Sequence, residues 1–108
     1  MDLGLEGKNV LVTGSTAGIG FAAAKKFAEE GASVVVNGRT AARVSEAVAA
    51  LGKLVPRGKV RGVAGDVSTE EGVRVLTDAV RDVDVLVNNA GIFEPKPFEE
   101  IPDADWFR

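Results

Sequence analysis

The chain has 108 residues, of which 45% are hydrophobic and 27% are charged, and its net charge is −3. This composition is typical of a single globular domain, and the charge gives no electrostatic basis for binding nucleic acid or an anionic membrane. Because the sequence has no Cys and no His, it excludes disulfides, thiolate or imidazole metal sites and Ser-His relays. No apolar stretch is long enough to span a membrane, and the acidic start is unlike a signal peptide. We therefore expect a cytoplasmic protein.

Four apolar runs predict four strands, at residues 9–13, 33–37, 59–64 and 83–87. The second run contains Val34, Val35 and Val36 without polar alternation, which is typical of a strand that is covered on both faces. The fourth run has the same character. In the third run, basic and apolar residues alternate in part, which favours an edge strand.

Helical patterns lie between these runs, the first over residues 18–30 with Gly31 placed to end it in a left-handed cap. Thr40 is a candidate N-cap for the second helix, and Ser68 with Glu71 forms a capping-box pattern at the start of the third. A further helix is expected to begin near Pro102. The apolar faces of the first three helices are predicted to contain Ile19, Ala23 and Phe27; Val44, Val48 and Leu51; and Val73, Leu76 and Val80.

The strict alternation of strands and helices predicts an α/β fold with a parallel sheet, right-handed crossovers and helices on both faces. Ligands of such folds bind outside the carboxyl ends of the strands. The candidate site is therefore lined by the residues that follow the four strands, namely residues 14–20, 37–39, 66–67 and 88–91.

The glycine-rich stretch from Thr13 to Gly20 is the strongest local signal. Backbone N–H groups and the helix N-terminus in such a turn attract phosphate groups, and glycines allow the backbone to approach them closely. The alternative is a plain strand-to-helix turn that uses glycine for packing. The spacing of Gly14, Gly18 and Gly20 differs from the G-x-G-x-x-G fingerprint.

The residues after strands two to four refine the predicted ligand. Strand two is followed by Arg39 and no acid, which favours a 2′-phosphate and hence NADP(H), with NAD(H) still possible. Alternatively, Arg39 is a solvated residue at a helix start. Asp66 is a candidate acceptor for an adenine amino group or a local turn residue, with Val67 packing on the ring. Asn88 and Asn89 are candidates for bracing neighbouring strands, for binding the ligand, or for both.

With these motifs in view, the chain resembles the short-chain dehydrogenase/reductase family. Residues 13–20 match its T-G-x-x-x-G-I-G motif, residues 88–91 match its N-N-A-G motif, and Asp66-Val67 matches its adenine-side pair. The resemblance implies a Rossmann-like doubly wound sheet of order 3-2-1-4 and hydride transfer between NADP(H) and a carbonyl or alcohol substrate. The cofactor-binding residues that it implies are Gly14, Ser15, Thr16, Gly18, Ile19, Gly20, Arg39, Asp66, Val67, Asn88, Ala90 and Gly91.

The resemblance also implies what these 108 residues do not contain. The family's catalytic Asn, Ser, Tyr and Lys follow the N-N-A-G motif, and this sequence has no Tyr at all. We therefore expect one domain over residues 1–108 that is the cofactor-binding part of an enzyme, truncated before strand five and without catalytic residues. The alternatives are a stand-alone dinucleotide-binding module or a pseudoenzyme fragment.

Two further expectations concern association. The family implies a homo-oligomer of the full-length protein. An uncovered apolar strand at the sheet edge predicts that the 108-residue chain alone is marginally stable or prone to aggregation.

Overall fold

A computed structural model describes residues 4–89 of the chain. Its elements are β1 Asn9–Val12, α1 Gly18–Glu29, β2 Ser33–Gly38, α2 Ala41–Leu54, β3 Lys59–Ala64, α3 Glu70–Ala79 and β4 Val85–Val87. All neighbouring strands pair in parallel, in the order β3-β2-β1-β4. This confirms the predicted fold class and strand order. The helix predicted near Pro102 and the site candidates Ala90 and Gly91 lie outside the described residues.

The core has two layers, one on each face of the sheet. Along β1 and β2, alternate side chains point to opposite faces. Val34 and Val36 join the layer beneath α1 and α2, whereas Val35 joins the layer beneath α3. All three are buried, as the uninterrupted valine run predicts. β3 forms one edge of the sheet, as its partial alternation predicts.

The buried face of α1 differs from the prediction. The structure buries Gly20, Ala24 and Ala28, whereas Ile19 is 81% exposed and Phe27 is only partly buried. The centre of the buried face is shifted by one residue toward the small side chains, which lie close against the sheet, while Ala23 and Phe27 pack, partly buried, against the same core as predicted. A larger residue in that stripe would force the helix away. Gly31 ends the helix with φ 90°, as predicted.

The two later helices begin on threonine caps. The Thr40 side chain accepts a hydrogen bond from Arg43 N, which confirms the predicted N-cap of α2. The capping box at Ser68 was wrong, because the N-cap of α3 is Thr69, whose hydroxyl accepts from Gly72 N at 2.9 Å. Ser68 is held instead by the carboxylate of Asp66. The predicted apolar faces are confirmed for Val44 and Leu51 in α2 and for Leu76 in α3, all of which are buried.

β4 is shorter and more exposed than predicted. The Asp84 N–H donates to the Asn9 carbonyl at 2.8 Å, and the Asp84 side chain accepts from Asn9 N at 2.8 Å, so a side chain supplies one of the two bonds at this end of the strand pair. Leu86 lies beside Leu11 in the sheet but is 41% exposed, and it borders an apolar cavity of about 180 Å³ next to α3. Burial of this strand on both faces was therefore a wrong prediction for the described residues.

Candidate functional site

The turn between β1 and α1 depends on glycine at two positions. Gly14 has φ 58° and Gly18 has φ 61°, both in the left-handed region that side chains disfavour. These two residues reverse the chain so that α1 begins directly above the end of β1. The sequence motif therefore corresponds to a real backbone constraint.

Gly20 is required for a different reason, namely close packing. A Cβ atom at this position would overlap the carbonyl oxygen of Gly14 and would lie 2.6 Å from Nδ2 of Asn89. The first turn of α1 therefore rests directly on the backbone of the glycine turn. Among the described residues, the side chain that comes nearest to Gly20 is that of Asn89.

The N-terminus of α1 carries none of the usual side-chain partners. Its N-cap residue, Ala17, makes no side-chain capping bond, and its first turn contains no acidic residue. The first N–H groups of a helix need an acceptor and attract negative charge. A glycine-lined helix start without its own acceptor fits a phosphate group.

Ser15 supports the turn from below. It is fully buried, its hydroxyl donates to the Val12 carbonyl at 2.6 Å, and its backbone N–H donates to the Asn37 carbonyl at 2.8 Å. The Asn37 N–H donates in turn to the Ser15 hydroxyl at 2.9 Å. In this arrangement the side chain of Ser15 shapes the turn, and its contact with a cofactor remains a prediction.

Asn37 is a central residue that the sequence placed in the lining of the candidate site without predicting a role for it. Its side chain is buried, with Nδ2 donating to the carbonyls of Val63 and Gly65 at 3.1 Å each and Oδ1 accepting from Gly14 N at 3.4 Å. It therefore joins the ends of β2 and β3 to the glycine turn. The available signal was an amide that directly follows a run of three valines, because a polar side chain at the end of a buried strand needs partners.

The end of β4 is tied to the same turn. The Thr13 hydroxyl donates to Asn88 Oδ1 and accepts from Asn89 N, both at 3.0 Å, and Asn89 Nδ2 donates to the Gly14 carbonyl at 3.1 Å. This confirms the bracing role that was one of the two predictions for Asn88 and Asn89. The binding role of Asn88 remains a prediction.

Asp66 plays the local role that was predicted as an alternative. Its Oδ1 accepts from the Ser68 hydroxyl at 2.6 Å and from Ser68 N at 2.9 Å. These bonds, with a smaller contribution from the nearby Arg39 guanidinium, lower the pKa of Asp66 below its ordinary value of 3.8. Among the described residues no hydrogen bond engages Oδ2, so the adenine role stays compatible with the geometry. Val67 is buried in the layer beneath α3.

The remaining candidates face outward. Thr16 is partly buried, whereas Gly18, Ile19 and Arg39 are exposed. Arg39 follows β2 and is close enough to Asp66 to act on its charge. The structure therefore gathers the ends of all four strands at one edge and leaves an isoleucine and a guanidinium accessible there.

Other kinds of site are not evident in residues 4–89. In that range no group of three or more acidic, His or Cys residues could hold a metal ion. The same residues form no helix that is both long and apolar enough to cross a membrane.

Comparisons with known proteins agree with this geometry. The family model described as short chain dehydrogenase matches residues 8–108. An uncharacterized oxidoreductase of Bacillus subtilis, YvaG, is 48% identical over 108 residues, and serine 3-dehydrogenase of Rhizobium radiobacter is 39% identical over 102 residues. The matches cover 100% and 90% of this chain but 41% and 39% of the relatives. The chain thus spans about two fifths of the length of these relatives.

A solved structure is similar over the same extent. The crystal structure of L-sorbose reductase from Gluconobacter frateurii, complexed with NADPH and L-sorbose, superposes with a TM-score of 0.79. It is 41% identical in sequence, and the match covers 98% of this chain and 41% of that one.

Proposed function

Because this chain belongs to the short-chain dehydrogenase/reductase family, we propose that it forms the cofactor-binding part of an NADP(H)-dependent oxidoreductase. The substrate class would be a small molecule with a carbonyl or alcohol group. When bound, the nicotinamide supplies or accepts the hydride, while the protein contributes binding and orientation.

The observation that carries the proposal is the start of α1. Gly20 lets the first turn of the helix lie directly on the backbone of the glycine turn, and that first turn has neither a side-chain cap nor an acid. A pyrophosphate would provide the acceptors that the helix lacks. The NADPH in the L-sorbose reductase structure supports the same class of ligand.

The preference for NADP(H) rests on Arg39. It is exposed at the end of β2, where an acid would repel a 2′-phosphate and a guanidinium would attract it. Asp66 and Val67 would lie on the adenine side. The complete set of residues proposed to hold the cofactor is Gly14, Ser15, Thr16, Gly18, Ile19, Gly20, Arg39, Asp66, Val67, Asn88, Ala90 and Gly91.

The proton-transfer groups of the reaction are proposed to come from outside these 108 residues, since the sequence contains no Tyr. The chain on its own should then bind NADPH without oxidising it when a ketone is added. Oxidation of NADPH by the purified chain would contradict this division of roles.

Isothermal titration calorimetry with NADPH and NADH tests the proposed ligand. We expect NADPH to bind more tightly, and Arg39→Ala to weaken NADPH about tenfold while leaving NADH nearly unchanged, since a charge-assisted hydrogen bond is lost. Arg74→Ala, which removes an exposed arginine from α3, is the matched control. The preference is refuted if NADH binds the unmodified chain at least as well, and the binding role is refuted if neither ligand binds.

A further inference from the structure

A groove of about 550 Å³ starts at the glycine turn and runs between α1 and α2. Thr16 and Ala17 line its wall on the side of the turn, and Arg43 and Glu46 line its wall on the side of α2. The groove therefore extends the candidate site from the glycine turn along α2 as far as Ala50.

Close packing fixes the two walls relative to each other. A Cβ at Gly38 would overlap the Thr16 methyl group and would lie 3.2 Å from Cγ2 of Val44. The glycine turn and the first turn of α2 are thus separated only by the Gly38 backbone. Arg43, the residue before Val44, borders the same groove as Thr16.

The charges at the start of α2 are the reverse of what a helix prefers. The first turn has no acidic residue, and Arg39 and Arg43 stand on either side of the N-cap Thr40. Cations near a helix N-terminus oppose the helix dipole. Within residues 4–89, neither arginine forms a salt bridge. An anion placed between them would compensate both the guanidinium groups and the helix end.

We propose that Arg43 is a second residue that selects NADP(H), by binding the 2′-phosphate together with Arg39 and the Thr16 hydroxyl. This inference rests on the proposed function. A phosphate monoester carries a charge between −1.5 and −2 at about pH 7, so a second guanidinium adds a strong charge-assisted contact. Glu46, further along the same wall, disfavours deeper entry of the phosphate and keeps it near the turn.

The test compares ligands that differ only in the 2′-phosphate. Adenosine 2′,5′-bisphosphate is compared with 5′-AMP, and NADPH with NADH, by calorimetry on the unmodified chain and on Arg43→Gln, Arg43→Lys and Arg39→Gln. We expect Arg43→Gln to weaken both 2′-phosphorylated ligands about tenfold and the other two less than twofold. Arg43→Lys should recover part of the loss, because a single ammonium keeps the charge without the planar fork. Arg74→Gln is the control.

The outcomes separate the two proposals. If Arg39→Gln weakens the 2′-phosphorylated ligands and Arg43→Gln behaves like Arg74→Gln, the role of Arg43 is overturned while the proposed function stands. Equal weakening of all four ligands by Arg43→Gln also overturns it, because the 2′-phosphate is then not what the residue recognises. If the unmodified chain shows no preference for a 2′-phosphate, the NADP(H) preference fails for both arginines. Circular dichroism of each variant establishes that it is folded, and Arg43→Lys decides the question if Arg43→Gln is not.

Discussion

The connections that lead into α1 and α3 lie at the same edge of the sheet, but the two helix N-termini differ in whether side chains cap them and place negative charge near them. The N-terminus of α3 is capped by Thr69, and Glu70 and Glu71 place negative charge in its first turn. α1 has no side-chain cap and no acid, and its turn uses glycines instead. The polar groups around the α1 turn, from Ser15 and Asn37, brace it from below.

This difference distinguishes a structural helix start from one suited to a ligand. At the start of α3 the Gly72 N–H already has the Thr69 hydroxyl as its acceptor, and two glutamates add negative charge, so an added anion would gain little there. Within residues 4–89, α1 has no corresponding side-chain cap, while the surrounding bonds hold the turn in one shape. A binding site of this kind is preorganised, so less ordering is needed when the ligand arrives.

The largest expected effect is that of Gly20→Ala. Because the new Cβ would overlap the Gly14 carbonyl oxygen, which is backbone, α1 or the turn must move, at a cost of about 3 kcal/mol in the free energy of unfolding. Urea unfolding measures this. Gly52→Ala in α2 is the control, since no atom lies within 4 Å of its Cβ position. It should stabilise the chain by about 0.5–1 kcal/mol. Similar effects at both glycines would show that the turn is not tightly packed.

Asn37→Ala should have the next largest effect. It leaves the carbonyls of Val63 and Gly65 and the N–H of Gly14 without their side-chain partner in a buried place, which costs about 2 kcal/mol. The unfolding free energy from urea titration checks this value. Asn9→Ala, at the start of β1, should change it by less than about 0.5 kcal/mol, as for a surface substitution. If Asn37→Ala lowered the unfolding free energy by less than about 0.5 kcal/mol, the sheet alone would hold the ends of β2 and β3.

Two substitutions then add a side-chain cap to α1 and remove the cap of α3. Ala17→Asp gives α1 an N-cap and should raise the unfolding free energy by about 0.5–1 kcal/mol. It should also weaken NADPH binding at least about tenfold, since the carboxylate takes the N–H groups and repels the pyrophosphate. Thr69→Ala removes the cap of α3 and should cost about 1 kcal/mol without changing NADPH affinity. If NADPH tolerates Ala17→Asp, the start of α1 is not its phosphate site.

The sequence predicted the fold well because the strand signals are strong and local. Runs such as Val34 to Val36 are compatible with few structures other than a buried strand. The alternation of such strands with helices then indicates a parallel sheet. The shift in the buried face of α1 could not be predicted in this way. Ile19 is more hydrophobic than Gly20, yet a Cβ at position 20 would already overlap the turn, and Ile19 is left exposed, whereas Phe27 packs, partly buried, against the core.

The candidate site was predicted in outline, and its internal bonds were not. Gly14, Gly18 and Gly20 stand where the motif implies, because positive φ and close packing both require glycine. The bonds from the Asn37 side chain depend on strand register, because residues 23 to 28 positions apart come together only in the folded sheet. The choice between Ser68 and Thr69 as N-cap depended on competition from Asp66, which no spacing rule includes.

The smallest expected effect is the dependence of stability on pH that Asp66 causes. Its pKa is lowered mainly by the hydrogen bonds from Ser68, so the folded state favours the ionised carboxylate. This contribution to stability is present above the ordinary value of 3.8 and is lost as the pH falls through the lowered pKa. The melting temperature of the unmodified chain should therefore be higher than that of Asp66→Asn, and the difference should be largest near about pH 7. It should shrink between about pH 5 and about pH 2.

Ser68→Ala provides the control for this comparison, because it removes the hydroxyl that contributes most to the shift. In that background the pH dependence of the Asp66→Asn difference should be weaker. A difference that stays constant from about pH 7 to about pH 2 would contradict the local role. If the local role is confirmed, the adenine role can still be tested separately. Ser68 bonds to Oδ1, and no hydrogen bond among the described residues engages Oδ2. Weaker binding of 5′-AMP to Asp66→Asn at about pH 7, with Ser68→Ala unchanged, would then assign both roles to the one carboxylate.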